Sequence, residues 1–151
     1  MLYMFMGQSC TGKSTVADQM KVQNGAEVYS GKDYIRMAKN ENEAWRIFYN
    51  MLENALIDKN PENILIYVIT EKEHLNKLSS LDGVKKIKFT ASLDVIKERF
   101  KLRMRGNLPL PVEKKLEMQF KEWEKEDGNL VINTTEDNDV NDLIQLILKS
   151  V

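Results

Sequence analysis

Residues Gly7 to Ser14 read G-Q-S-C-T-G-K-S, matching the phosphate-binding pattern G-x-x-x-x-G-K-S/T at every fixed position. No other segment limits the fold as strongly, because such a loop works only between the end of a buried strand and the first turn of a helix. There the glycines let the backbone wrap round an anion with successive N–H groups pointing inward, and the helix N-terminus adds its own attraction. The flanks meet this requirement. Leu2 to Met6 is an apolar run with β-forming aromatics, and Val16, Ala17 and Met20 recur at helical spacing between Ser14 and Gln23. Gly7, Gln8, Ser9, Cys10, Thr11, Gly12, Lys13, Ser14 and Thr15 are therefore the candidate cradle for ATP. In it Lys13 reaches the β- and γ-phosphates and Ser14 offers a hydroxyl to Mg²⁺. Cys10 lies inside the loop near the helix N-terminus, where amide dipoles favour a thiolate; this predicts a modestly reactive thiol shielded by bound nucleotide.

At 151 residues the chain makes one domain with a real core. The formal charge is −1, from 22 Lys and Arg against 23 Asp and Glu, which argues against an extended nucleic-acid-binding surface. Cys10 is the only cysteine, so no internal disulfide forms, in keeping with a reducing, cytoplasmic setting. No signal-peptide pattern precedes the first strand and no apolar stretch approaches membrane-spanning length, so no membrane association is expected. His74 is the sole histidine and is assigned no role, and the Met-rich first strand and the tryptophans read as core.

Beyond the loop, apolar runs at Glu27–Tyr29, Ile64–Ile69, Lys86–Phe89 and Leu130–Ile132 read as four further strands. Helical stripes separate them: Trp45, Phe48, Leu52 and Leu56 after an Asn40/Glu43 cap; Leu93, Ile96, Phe100 and Met104; Leu116, Phe120 and Trp123, entered through Pro111; and Val140, Leu143, Ile144, Ile147 and Leu148. Five strands joined by helical crossovers predict an α/β fold, a three-layer sandwich round a parallel sheet.

An N-terminal strand, an immediate phosphate loop and five such strands together resemble the nucleoside monophosphate kinase group of P-loop NTPases. The resemblance implies strand order 2-3-1-4-5, an acceptor-binding region reduced to about residues 31–60 and a short lid at about 103–112. Asp33-x-x-Arg36 is similar to the segment after the second strand in adenylate kinases, and also to its counterpart in polynucleotide kinases. The spacing puts both residues on one helix face. There the carboxylate would orient or deprotonate an acceptor hydroxyl while the guanidinium grips an anion. The competing reading is an acid that stabilises a helix start beside a solvated arginine.

Lys97, Arg99, Lys101, Arg103 and Arg105 sit at the end of the helix carrying Ile96, Phe100 and Met104, in two rows on either side of that stripe. Glu98-Arg99-Phe100 and Arg103 resemble the lid arginines that contact ATP phosphates and cover adenine. The segment Arg105 to Pro111 resembles the lid of polynucleotide kinases. Arg103 and Arg105 are the candidates for stabilising transferred charge, whereas Lys97 and Lys101 read as solvated surface. The loop Asn133–Asp137 corresponds to the adenine rest, which makes Thr135 a candidate, although Thr134 or Thr135 equally suits a cap for the last helix.

One departure concerns the third strand, which in the group ends in a metal-organising carboxylate. Here Tyr67 and Val68 stand at the expected places, leaving Glu71 or Asp33 as substitutes. The resemblance implies an ATP- and Mg²⁺-dependent kinase for a small acceptor, most naturally a nucleotide or nucleoside, working as a monomer or homodimer. The alternatives are a polynucleotide 5′-hydroxyl kinase and a nucleotide-binding protein with weakened turnover.

Overall fold

The computed structural model describes residues 1–150. The chain alternates β1 (Leu2–Met6), α1 (Lys13–Asn24), β2 (Glu27–Ser30), α2 (Glu41–Ile57), β3 (Leu65–Ile69), α3 (Lys72–Asn76) and β4 (Lys85–Thr90), then α4 (Leu93–Arg103), α5 (Leu110–Glu124), β5 (Leu130–Asn133) and α6 (Val140–Lys149). A 3-10 helix over Asp33–Met37 follows β2. The five strands form one all-parallel sheet in the order β2-β3-β1-β4-β5, as expected.

Every residue of β1 and β3 is buried, because helices cover both faces of the sheet; this is why neither run alternates with polar residues. Tyr3 and Phe5 pack on one face with Val16 and Met20 of α1 and Ile144 and Ile147 of α6. Met4, Met6 and Tyr67 pack on the other with Phe48 and Leu52 of α2, Leu75 of α3 and Trp123 of α5.

Local signals set several boundaries. Asn40 Oδ1 accepts the Glu43 N–H at 2.7 Å and starts α2. Pro111 occupies the first turn of α5, where its missing N–H costs nothing. Three expectations need correction. The cap of α6 is Asp139, which accepts the Asn141 N–H at 2.8 Å, and neither Thr134 nor Thr135 serves there. Met104 lies just past α4 and is 45% exposed, so the apolar stripe ends at Phe100. Lys97 is not solvated surface: it donates to Glu113 at 3.2 Å and Glu117 at 2.8 Å, tying α4 to α5 across their connection. These hydrogen bonds, Glu117 first, push its pKa up. A lysine flanking a buried stripe faces the next helix as readily as it faces water. α3 escaped notice because five residues are too few to show a period. No helix is long and apolar enough to cross a membrane.

Candidate active site

β1 delivers the phosphate loop at the carboxyl edge of the sheet, and its glycines are there for distinct reasons. Gly7 has φ +147° and donates its N–H to Ile69 O at 3.1 Å. A Cβ at this position would lie 2.3 Å from Phe89 O, so the backbone of β4 leaves room for nothing larger than hydrogen. Gly12 has space but φ +93°. Between them Cys10 adopts φ +64°, a conformation that L-residues with a side chain rarely take.

Inside the loop the polar groups hold one another. Lys13 is buried, and its Nζ donates to Gly7 O at 2.7 Å and Gln8 O at 2.6 Å. Burial pushes its pKa down to about 7; the Arg103 charge works in the same direction and Cys10 works against it. Thr11 Oγ1 donates to Gln8 O at 2.7 Å, and Gln8 Nε2 donates to Leu116 O of α5 at 2.7 Å. Cys10 is buried beside Ala91, Ile96 and Leu116. Burial pushes its thiol pKa up, outweighing the opposing charges of Arg103, Lys13 and Arg99, and so works against the expected activation by amide dipoles.

Arg99 of α4 clips this loop to the connection between β5 and α6. Its Nη1 donates to Cys10 O at 3.0 Å and to Thr134 Oγ1 at 3.1 Å, and its Nη2 donates to Thr134 O. Thr134 in turn donates its hydroxyl to Thr11 O at 2.8 Å. A cavity of about 220 Å³ beside the clip is lined by Gly12, Val16, Arg99, Arg103, Thr134 and Leu143, among others. A smaller cleft of about 90 Å³ follows the loop from Ser9 to Thr15, with Thr70 and Arg103 on its far side. Arg103 borders both spaces.

The other candidates are placed as follows. Thr135 turns away from the cavity: its hydroxyl accepts the Ser92 N–H at 2.9 Å and donates to Asn133 Oδ1 at 2.6 Å, and Thr134 stands in the place given to it. Arg105 follows α4 with φ +58° and, like Glu71, is exposed and borders neither space. Asp33 and Arg36 are one 3-10 turn apart and both exposed; Asp33 Oδ2 accepts the Ser30 N–H at 2.8 Å, fixing the turn after β2.

Tyr67 does not line the cleft. It lies in mid-strand opposite Met4 and Tyr29, 0% exposed and edge-on to Phe48, and donates its hydroxyl to Gly31 O at 2.7 Å. Desolvation raises its pKa, so it remains a neutral phenol. Because Met6 pairs with Ile69, the residue that reaches the phosphate cleft is Thr70, three positions later. Sequence reasoning missed Thr70 and Thr134, whose only local signal is a hydroxyl immediately after a strand or at its end. It also passed over His74, which is buried with both ring nitrogens lacking a hydrogen-bond partner among the described residues.

No cluster of three or more His, Cys, Asp or Glu side chains that could hold a metal occurs among the described residues. The cleft offers the hydroxyl-bearing Ser14, Thr15 and Thr70, a donor set that fits a hydrated Mg²⁺ held chiefly by phosphate oxygens, for which Ser14 would be the protein's ligand.

No protein-family model matches the chain, and no curated protein sequence does. Solved structures match it over nearly all its length. A gluconokinase from Sinorhizobium meliloti 1021 has TM-score 0.59 and 16% identity, covering 98% of this chain and 89% of that one. A shikimate kinase from Bacteroides thetaiotaomicron has TM-score 0.58 and 12% identity, covering 98% and 96%. The YorR protein of Bacillus subtilis, solved in complex with phosphorylated GDP, has TM-score 0.57 and 20% identity, covering 97% and 95%. The chain has a P-loop kinase-like fold. The likeness extends to kinases of the shikimate and gluconate type and does not single out the nucleoside monophosphate kinase group.

Proposed function

We propose that the chain is an ATP-dependent phosphotransferase for a small acceptor, with a nucleotide or nucleoside as the first class to test. The observation that carries this reading is Arg103, which borders both the phosphate cleft above Lys13 and the neighbouring cavity. A guanidinium so placed meets charge that builds up on a transferred phosphoryl group. Lys13 exchanges the carbonyls of Gly7 and Gln8 for the β- and γ-phosphates. The cavity bordered by Arg99 and Thr134 takes the base and ribose. Asp33 orients the acceptor hydroxyl or accepts its proton, Arg36 grips an acceptor anion, and the segment 103–112 moves as the lid over the acceptor region at 31–60. Mg²⁺ at Ser14 would neutralise phosphate charge when bound. The complex of the YorR protein with phosphorylated GDP supports placing nucleotides first.

ADP release measured against a panel of nucleoside monophosphates, nucleosides, shikimate, gluconate and a 5′-hydroxyl oligonucleotide tests this. The expected result is Mg²⁺-dependent release with one small acceptor. Release with the oligonucleotide alone would identify a polynucleotide kinase instead. One observation favours a second reading: Thr70 brings a hydroxyl and no carboxylate to the cleft, as suits a nucleotide-binding protein of low turnover. Absence of ADP in single-turnover mixing, with ATP bound, would establish that reading.

A further inference from the structure

Behind the phosphate loop lies a second cavity, of about 120 Å³, that shares Thr11 with the phosphate cleft but none of its cation-holding residues. Gln8 and Thr11 of the loop, Phe89 of β4, Ile96 of α4, and Phe120 and Trp123 of α5 line it. Its two charged neighbours, Lys88 and Glu124, are of opposite sign and reach solvent, so the space is neutral, flanked by aromatic rings and open on one side. It is of the size range of cavities that take up benzene, about 150 Å³.

Gln8 gives this space its chemistry. The side chain is 2% exposed and its amide N–H is spent on Leu116 O, yet its Oε1 is buried with no hydrogen-bond partner among the described residues. A buried carbonyl without a donor carries an uncompensated desolvation cost, which an occupant bearing an N–H or O–H would remove. Neighbouring donors are already committed: Trp123 Nε1 donates to Thr70 O at 3.1 Å, and the Thr11 hydroxyl donates to Gln8 O at 2.7 Å.

We propose that this cavity is a binding site for a compact, uncharged aromatic molecule with one hydrogen-bond donor, which Gln8 Oε1 accepts while the rings of Phe120 and Trp123 flank the body. The site needs no phosphoryl chemistry and stands or falls apart from the proposed function.

The test is titration of the full chain with phenol and, separately, with toluene, followed by ¹H–¹⁵N spectra of the Trp123 indole and the Gln8 side-chain amide. Saturable shifts at both groups are expected with phenol, and at least tenfold weaker binding with toluene. Gln8→Met should bring phenol down to the toluene level, and Thr90→Ile, which adds bulk at another residue lining the cavity, should weaken both ligands. Equal affinity of phenol and toluene for the natural chain overturns the role of Gln8. An absence of saturable shifts at Trp123 overturns the site.

Discussion

In the phosphate loop the carbonyls of Gly7, Gln8, Cys10 and Thr11 each accept a hydrogen bond from a side chain, those of Lys13, Thr11, Arg99 and Thr134. Two strands away, at the end of β2, Asp33 and the Tyr67 hydroxyl fix the backbone of the turn, but Arg36, and Glu71 after β3, stand exposed. On the proposed reading the donor side is held in advance by buried groups, and the acceptor side would present exposed charges to an arriving ligand. Preorganised donors are effective because nothing reorganises at the moment of reaction. The same arrangement makes the loop part of the fold's stability, whereas the turn after β2 is anchored by the buried Tyr34 and leaves the Arg36 side chain free of structural duty.

Substitutions can break this contrast. Lys13→Ala should lower ATP turnover by about 10²–10³-fold, the loss typical of a group that meets transition-state charge, while circular dichroism remains native. Unchanged ADP release would remove the donor site from the loop altogether. Gly7→Ala should destabilise by ~3 kcal/mol or more in urea unfolding, since both the backbone clash and the positive φ oppose it. Gly31→Ala, at φ +51° with its nearest neighbour at 3.9 Å, should cost only ~1–2 kcal/mol. Equal losses would show that the two turns are alike after all.

The arginines sharpen the comparison further. Arg99→Ala should cost ~1–3 kcal/mol by leaving the Cys10 and Thr134 carbonyls unpaired. Arg36→Ala should stay within ~0.5 kcal/mol of the natural chain yet raise the acceptor KM, and Arg103→Ala should act mainly on kcat. A destabilised Arg36→Ala protein would contradict the picture of an Arg36 without structural duty.

A further expected effect is a pH dependence. Unfolding returns Lys13 from a pKa of about 7 to 10.5, so between these values the unfolded chain binds more protons. Its contribution is fully present above pH 10.5 and is lost as pH falls through 7. The stability of the natural chain relative to Lys13→Met should therefore rise by about 2 kcal/mol from pH 7 to 9. A flat difference in urea unfolding across that range would mean that Lys13 keeps its proton in the folded loop.

Much of the fold was legible because its signals are local. The loop pattern, the continuous burial of Leu2–Met6 and the Asn40 cap are each written within a few residues, and the alternation of periods gave the parallel sheet. The site was less legible where partners lie far apart in the chain. In Leu65–Ile69 every residue is apolar and buried, so nothing in the run marks which position ends at the cleft, and Tyr67 was placed where Thr70 belongs. Thr134 and Thr135 are chemically identical neighbours. Only the pairing of β5 with β4, which brings the Thr134 N–H to Thr90 O at 2.8 Å, decides which of them faces the loop. Lys97 was misread for the same reason: its partners lie 16 and 20 residues away on another helix.

The Arg99 clip has a consequence for synthesis. It joins residues 89 and 35 positions apart in the chain, Cys10 on one side and Thr134 on the other. Chains emerge from the ribosome N-terminus first. A nascent chain that ends before β5 already carries the whole phosphate-binding motif, yet the residue that clips the loop has nothing to hold it to. Premature release would yield a protein that reads as a nucleotide binder by its sequence and leaves the loop's closing bond unmade.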